Sequence, residues 1–360
     1  MLFKTFRFVF VIIFLLNLSC SSGNDEYTPI PQDSLVNFEI NEVPYQTLSE
    51  YNFFDGEIKN LNPVTGVLPY EPITPLFSDY SKKQRLIWMP EGQTATYVDD
   101  NSLIDMPIGT VLIKTFYYDN TLPNNLQRII ETRLMIKKSS GWIFADYIWN
   151  EEQIEATLDL QGSFLDVEWV ENGTTKSTTY RIPPESECLT CHKSAGVAFP
   201  IGLKPKNLNK NYTYSDGVQN QLSKFQEAGY LSGNIPSTID TVVDWEDTSQ
   251  PLSERVRAYL DINCAHCHTD LGHCDYRPLR LSFDDTTDEA NIGVCVDADE
   301  PISPMTKIIL AGNYQKSILH FRFSTNQQEF MMPLLGRTIV HEEAVDLIEQ
   351  WINSLPGPCP

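Results

Sequence analysis

Residues Thr110 to Asn150 read "TVLIKTFYYDNTLPNNLQRIIETRLMIKKSSGWIFADYIWN", three runs rich in β-branched and aromatic side chains divided by polar turns. Such runs fit the pleated, half-buried surface of a strand. Further on, "FLDVEWVENGTTKSTTYRI" carries Asn172-Gly173, a dipeptide that accepts the positive φ angles of a tight hairpin turn. Residues from about 85 to 183 therefore read as antiparallel strands, and their pattern predicts a β-sandwich. The preceding "VTGVLPYEPITPLFSDYSKKQRLIWMPEG" is Pro-rich and irregular, and is expected to cover an edge of that sandwich.

Working outward, the chain of 360 residues is 41% hydrophobic and 11% aromatic, enough for a full core and two or three domains. It begins MLFKTFR, runs through the apolar Phe8 to Leu16 and reaches "NLSC" at Asn17 to Cys20. A basic start, an apolar run too short to span a bilayer and a small residue before the cut predict a signal peptide over 1–19. "LSC" resembles a lipobox, which would make Cys20 the lipidated first residue of the mature chain. The polar, acidic residues that follow read as a flexible tether over 20–36, and resemble the export signal of surface lipoproteins. The expected location is the cell envelope, at the outer membrane on its periplasmic face or at the cell surface, with the lipid as the membrane contact. Formal charge is −22 and falls by two, to −24, once Lys4 and Arg7 leave with the signal. This argues against nucleic acid or an anionic lipid surface as partner, and would steer a basic redox partner.

Eight cysteines must then be placed in a compartment that oxidises thiols. Besides Cys20, four fall in two C-x-x-C-H groups, "CLTCH" at Cys188, Cys191 and His192 and "CAHCH" at Cys264, Cys267 and His268. On a helical turn, cysteines three apart share a face and reach the two vinyl groups of one haem, while the adjacent histidine turns to the iron. A zinc ribbon would need its pairs about 15 to 20 residues apart, and a redox-active dithiol would need a βαβ context that the strand-rich chain before Cys188 lacks. Two covalently attached c-type haems are the expectation. Cys274 and Cys295, in the insertion "HCDYRPLRLSFDDTTDEANIGVCVD", are expected to pair as a disulfide, leaving Cys359 alone.

Around the second group, "PLSERVRAYLDIN" places Leu252, Val256, Tyr259 and Leu260 on one helical face with Ser253 able to cap. A closing helix from about His341 to Leu355 follows, with Val345, Ile348, Ile352 and Leu355 as its stripe. Between them stands "MMPLLG". This order resembles class I cytochrome c, and the resemblance implies Met332, before the proline, as the distal ligand of the second haem, with neighbouring Met331 as fallback. The first haem has no such partner downstream, because Lys193 through Asn263 contain neither Met nor His. Met89 in "IWMPEG" is the first candidate for its distal ligand, then Met106, then His266 or His273; water, a lysine or an open site complete the alternatives.

Over nearly the whole mature chain, "TPLFSDYSKKQRLIWMPEG", "GTVLIKTFYY", "ETRLMI", "YIWNEEQ", "YLDINCAHCH" and "MMPLLGR" resemble a bacterial family of dihaem c-type cytochromes. The resemblance implies two haems and an envelope location, and no substrate. The expected architecture is multidomain, an N-terminal antiparallel β-sandwich followed by mainly α-helical cytochrome c modules: a β-rich domain over 37–183, haem module 1 over 184–250 and a class I-like cytochrome domain over 251–358. The expected role is electron transfer, the alternative a haem enzyme of the dihaem peroxidase kind or a small-ligand sensor.

Overall fold

The computed structural model describes residues 35–359; the expected signal peptide, Cys20 and nearly all of the tether lie outside them. Alternation along the strands builds a single antiparallel sheet of eight. Its members in chain order are β1 (Leu68–Pro69), β2 (Lys82–Trp88), β4 (Val111–Thr121), β5 (Leu126–Lys138), β6 (Gly141–Trp149), β7 (Ala156–Leu158), β8 (Ser163–Glu171) and β9 (Thr174–Ile182). Strand β3 (Ala95–Thr96) lies apart and pairs in parallel with Leu231–Ser232. The order across the sheet is β1-β2-β4-β5-β6-β7, with the β8–β9 hairpin branching from β4 where Thr121 faces Trp169. Asn172 and Gly173 turn that hairpin with φ of 50° and 77°, as the dipeptide predicts.

Because side chains alternate across a strand, the two faces have different work. One face presents Leu86, Trp88, Ile113, Leu134, Ile136, Tyr147 and Trp149, which pack with Val43, Leu48, Tyr51, Phe53 and Val64 of the irregular N-terminal segment. Burying each such side chain stabilises the fold by roughly 1.5–3 kcal/mol. Two tyrosines enter this core because their hydroxyls are satisfied: Tyr51 Oη lies 2.9 Å from Tyr147 Oη, and Tyr147 donates to the carbonyl of Tyr45 at 2.8 Å. The opposite face presents Arg85, Leu112, Lys114, Phe116, Arg133, Met135, Phe144 and Asp146, which floor a cavity.

The expectation of a sandwich followed by mainly α-helical modules is overturned. The chain is mostly β, with 21% helix. A second sheet is not needed, because chain without regular structure covers the apolar face. The helices are α1 (Glu185–Cys191), α2 (Pro205–Leu208), α3 (Gln221–Glu227), α4 (Leu252–Cys264), α5 (Glu289–Ile292), α6 (Ile318–Phe323) and α7 (Glu342–Ser354). Only α4 and α7 reach 13 residues. They pack together through Val256, Tyr259 and Leu260 against Val345, Ile348 and Ile352. Pro251, not Ser253, stands at the N-cap of α4, and no side chain caps it. Elsewhere Gly, Pro and Asn break the chain into short ladders such as Asn211–Tyr214 with Gly217–Asn220.

The expected disulfide is also corrected. Cys295 pairs with Cys359, across 64 residues, while Cys274 is a buried free thiol. The reason is tertiary: the Cys295 N–H donates to Ile309 O, and Gly312 N–H donates to Ile352 O at the end of α7, which brings the terminal tail beside Cys295. Sequence proximity had favoured the wrong partner.

Candidate functional site: two cysteine-histidine turns and their cavities

Both C-x-x-C-H groups close one helical turn in the same way. At the end of α1, His192 N–H donates to Cys188 O at 2.9 Å; just past α4, His268 N–H donates to Cys264 O at 3.0 Å. The turn sets each cysteine pair on one side and carries the histidine past it.

The two imidazoles are held differently. His192 Nδ1 lies 3.0 Å from Phe199 O, so that nitrogen carries the proton and Nε2 keeps its lone pair. Its ring rests against Phe144 of β6, with centroids 5.4 Å apart. Burial first, against the hydrogen bond to Phe199, pushes it down to about 3, so it is neutral at ordinary pH. His268 is pushed down to about 4 by burial and then by neighbouring cationic groups. Its Nδ1 is buried without a partner. A buried nitrogen in that condition costs about 1–3 kcal/mol and calls for a group that the protein itself does not supply.

The motifs lie 76 residues apart in sequence, Cys188 to Cys264, yet meet in space. Cys267 Sγ lies 3.6 Å from Thr190 O, Ala195 N–H donates to Leu271 O at 3.2 Å, and Ser194 Oγ reaches Asp270 O at 3.2 Å. Donor atoms of Cys191, His266 and Cys267 lie within 4.8 Å of one another. The contact between the two thiols lowers Cys191 and raises Cys267, since one proton serves both sulfurs.

Each turn lines a cavity, and Cys191 of the first turn borders both. One of about 290 Å³ is lined by Cys264, Cys267, His268, Cys274 and Met332. The other, about 430 Å³, is lined by Cys188, Cys191, His192, Met331 and the polar face of the sheet. These volumes fall near the lower end of, and within, the roughly 300–1,000 Å³ usual for cofactor sites. The adjacent methionines thus part company, Met332 to the His268 cavity and Met331 to the His192 cavity. Met89 and Met106 do neither: both are buried in a separate core with Tyr70, Leu203 and Phe225. The backbone N–H of Met89 donates to Tyr230 Oη at 3.2 Å. His273 lines the His268 cavity, and His266 lines both.

Sequence reading missed the meeting of the two motifs and the place of Met331 in the wall of the His192 cavity. It also missed the charged residues at alternating positions of β2, β4 and β5, which were legible as a polar face within apolar strands. Compared with known protein families, curated proteins and solved structures, the chain has no match. Among the described residues, no helix is long and apolar enough to cross a membrane.

Proposed function

We propose that the chain is an envelope cytochrome carrying two covalent c-type haems and transferring electrons, anchored through lipid on Cys20. What carries this reading is the pair of helical turns, each bringing two thiols and a neutral, half-buried imidazole to a cavity of cofactor size. The residues fit the group: Cys188 and Cys191, and Cys264 and Cys267, would form the thioethers, and His192 and His268 would be proximal ligands. The lone-pair Nε2 of His192 is the atom that would meet the metal at the first site, whereas the Nδ1 of His268 lacks the carbonyl partner that steadies His192. When bound, each haem supplies a one-electron couple.

The protein's part is positional. Phe199 O fixes the tautomer and tilt of His192. Met332, in the wall of the His268 cavity, would hold the second haem together with His268. Met331 would hold the first together with His192, because it is a buried thioether carried on a wall of that cavity separate from α1 and the sheet. Met135 is set beside Phe144 in register, on the side where His192 rests. His266 stands by Cys191 and Cys267. A soft sulfur opposite an imidazole favours ferrous iron and raises the potential. The acidic surface favours a basic redox partner and disfavours nucleic acid.

One observation favours a second reading: Cys191, His266 and Cys267 are close enough to hold a zinc ion. Intact mass and metal content of the full chain, expressed with haem-maturation machinery, decide between them. We expect a mass two haems above the polypeptide, with iron; zinc and no haem would overturn the proposal. A first haem that binds carbon monoxide and turns over peroxide would move the role from carrier to enzyme or sensor.

A further inference from the structure

The polar face of the sheet carries a row of side chains set directly opposite one another on four neighbouring strands. Arg85 of β2 pairs in register with Lys114 of β4, Lys114 with Arg133 of β5, and Arg133 with Asp146 of β6. All four line the cavity beside His192. Directly opposed side chains stand about 4.5–5.5 Å apart at Cβ, and like charges so placed repel. Three cations in a row therefore need anions.

One of the three has them. Arg133 Nη2 lies 2.5 Å and its Nε 3.0 Å from the fully buried carboxylate of Glu131, and Asp146 is 3.5 Å away. Tyr180 donates to the same Glu131 carboxylate at 2.6 Å. Arg85 and Lys114 have no such partner: among the described residues neither side chain meets a carboxylate or makes a hydrogen bond, and Lys114 touches only the ring of Phe116, 5.0 Å from its centroid. Arg85 is 8% exposed and Lys114 half-buried, and both open onto the cavity, so what fills the cavity is what partners them. Of the other groups lining the cavity, Asp79 accepts from Thr338 N, Thr338 Oγ1 and Ile339 N, and Arg181 is paired with Glu187 at 2.7 Å, while Asp146 Oδ1 and Glu187 Oε2 are buried without a partner and Glu185 is exposed. A buried, unpaired cation costs several kcal/mol. Two side by side, at the wall of a cavity, mark an unfilled anion position. Burial and the charges of Arg85, Lys83 and Arg133 also push Lys114 well below the ordinary lysine range, a displacement that an anion would reverse.

We infer that Arg85 and Lys114 form a subsite for a carboxylate or similar small oxyanion within the cavity next to His192. The anion has two sources. It is either a carboxylate side chain of a haem bound in that cavity, or a free anion taken up beside it. Lys114 lies two strands, about 10 Å, and Arg85 three strands, about 14 Å, across the sheet from β6, whose Phe144 touches His192. That is the reach of the far edge of a large flat cofactor. This subsite depends on the haem reading only for the first source.

The test uses the full chain, matured with haem, as wild type, Arg85→Gln, Lys114→Gln, the double variant and Arg85→Lys. Lys82→Gln is the control, since Lys82 is exposed, paired with Asp119 at 2.6 Å and does not line the cavity. Potentiometric titration and spectra are recorded with and without sulfite. If the haem supplies the carboxylate, the double variant lowers the potential of one haem and not the other, Arg85→Lys and Lys82→Gln leave both unchanged, and sulfite has no effect on wild type. If the anion is free, sulfite shifts the wild-type spectrum at low millimolar concentration and the double variant loses at least tenfold in affinity. No change in either measurement overturns the inference, and where the double variant fails to fold the single glutamine variants carry the same reading. Should the chain bear no haem, the functional proposal alone fails. The subsite is then read from melting temperature: stabilisation of wild type by sulfite, absent from the glutamine variants, sustains it, and equal behaviour ends it.

Discussion

The two cysteine-histidine turns share a backbone and differ in everything around it. The His192 turn sits on a sheet, with a carbonyl fixing its imidazole and a charged floor beneath. The His268 turn sits between helices, its imidazole nitrogen unpartnered, in a cavity walled by Leu260, Ile308 and Leu319. Local sequence therefore dictates the turn, and the tertiary neighbours dictate what each turn can be tuned to do. Charged side chains stand at both: Arg85, Lys114 and Arg133 floor the first cavity, and Arg277, Glu300 and Arg322 line the second.

The sharpest way to break this comparison is to remove one turn at a time. Cys188→Ser with Cys191→Ser should cost one haem by mass and leave the other spectrum intact, and Cys264→Ser with Cys267→Ser should do the reverse. Loss of both haems from either double variant would mean that the sites are one unit. Next in size is the methionine pair. Met331→Ala should abolish the near-infrared thioether band of the first haem and lower its potential, while Met332→Ala should do so at the second. Both variants acting on one haem would undo the assignment of a sulfur to each cavity.

Stapling separates the regions as well. The Cys295–Cys359 bridge closes a long loop in the C-terminal part only. Cys359→Ser should destabilise the protein by about 4 kcal/mol, with the loss of helix signal from α4 and α7 preceding that of the sheet in thermal unfolding. A melting temperature unchanged by the substitution would show that the tail is not needed. The smallest effect is in the acid limb of stability for haem-free protein. Both histidines are depressed in the fold, to about 3 for His192 and about 4 for His268, against ~6.5 in the unfolded chain. The unfolded chain binds more protons between those limits, so this contribution is complete above about pH 6.5 and is lost as pH falls. His192→Gln should flatten the slope further towards pH 3 than His268→Gln does, as measured by urea unfolding across pH 3 to 7. Equal slopes would contradict the difference in burial.

Some of this was legible before any coordinates. The β-branched runs at Val111–Thr121, Leu126–Lys138 and Gly141–Trp149 and the turn at Asn172-Gly173 are local signals, and they fold as read. The apolar stripes of α4 and α7 are equally local. What covers a sheet face is not local, and an irregular segment such as Val36–Val67 leaves no periodic trace, so one covered sheet passed for a sandwich. Helical modules were inferred from two helices and a motif, whereas Gly, Pro and Asn divide the chain between them. The helical turn at each cysteine-histidine group was readable because the spacing of these residues is the geometry of a single turn. Met331 was not, since neighbouring methionines in one dipeptide look alike until the backbone sends them to different cavities.

The contact between Cys191 and Cys267 bears on how such a protein can be made. Once the chain has folded without its cofactors, two thiols from different motifs lie side by side, and an oxidising envelope would join them into a crosslink that spoils both attachment sites at once. On the proposed function, biogenesis would be a race, in which attachment would have to reach the nascent, still open chain before collapse brings the sulfurs together. Slowing the attachment machinery should leave a dead-end species with one extra disulfide, and the folded protein would be beyond repair by later supply of haem.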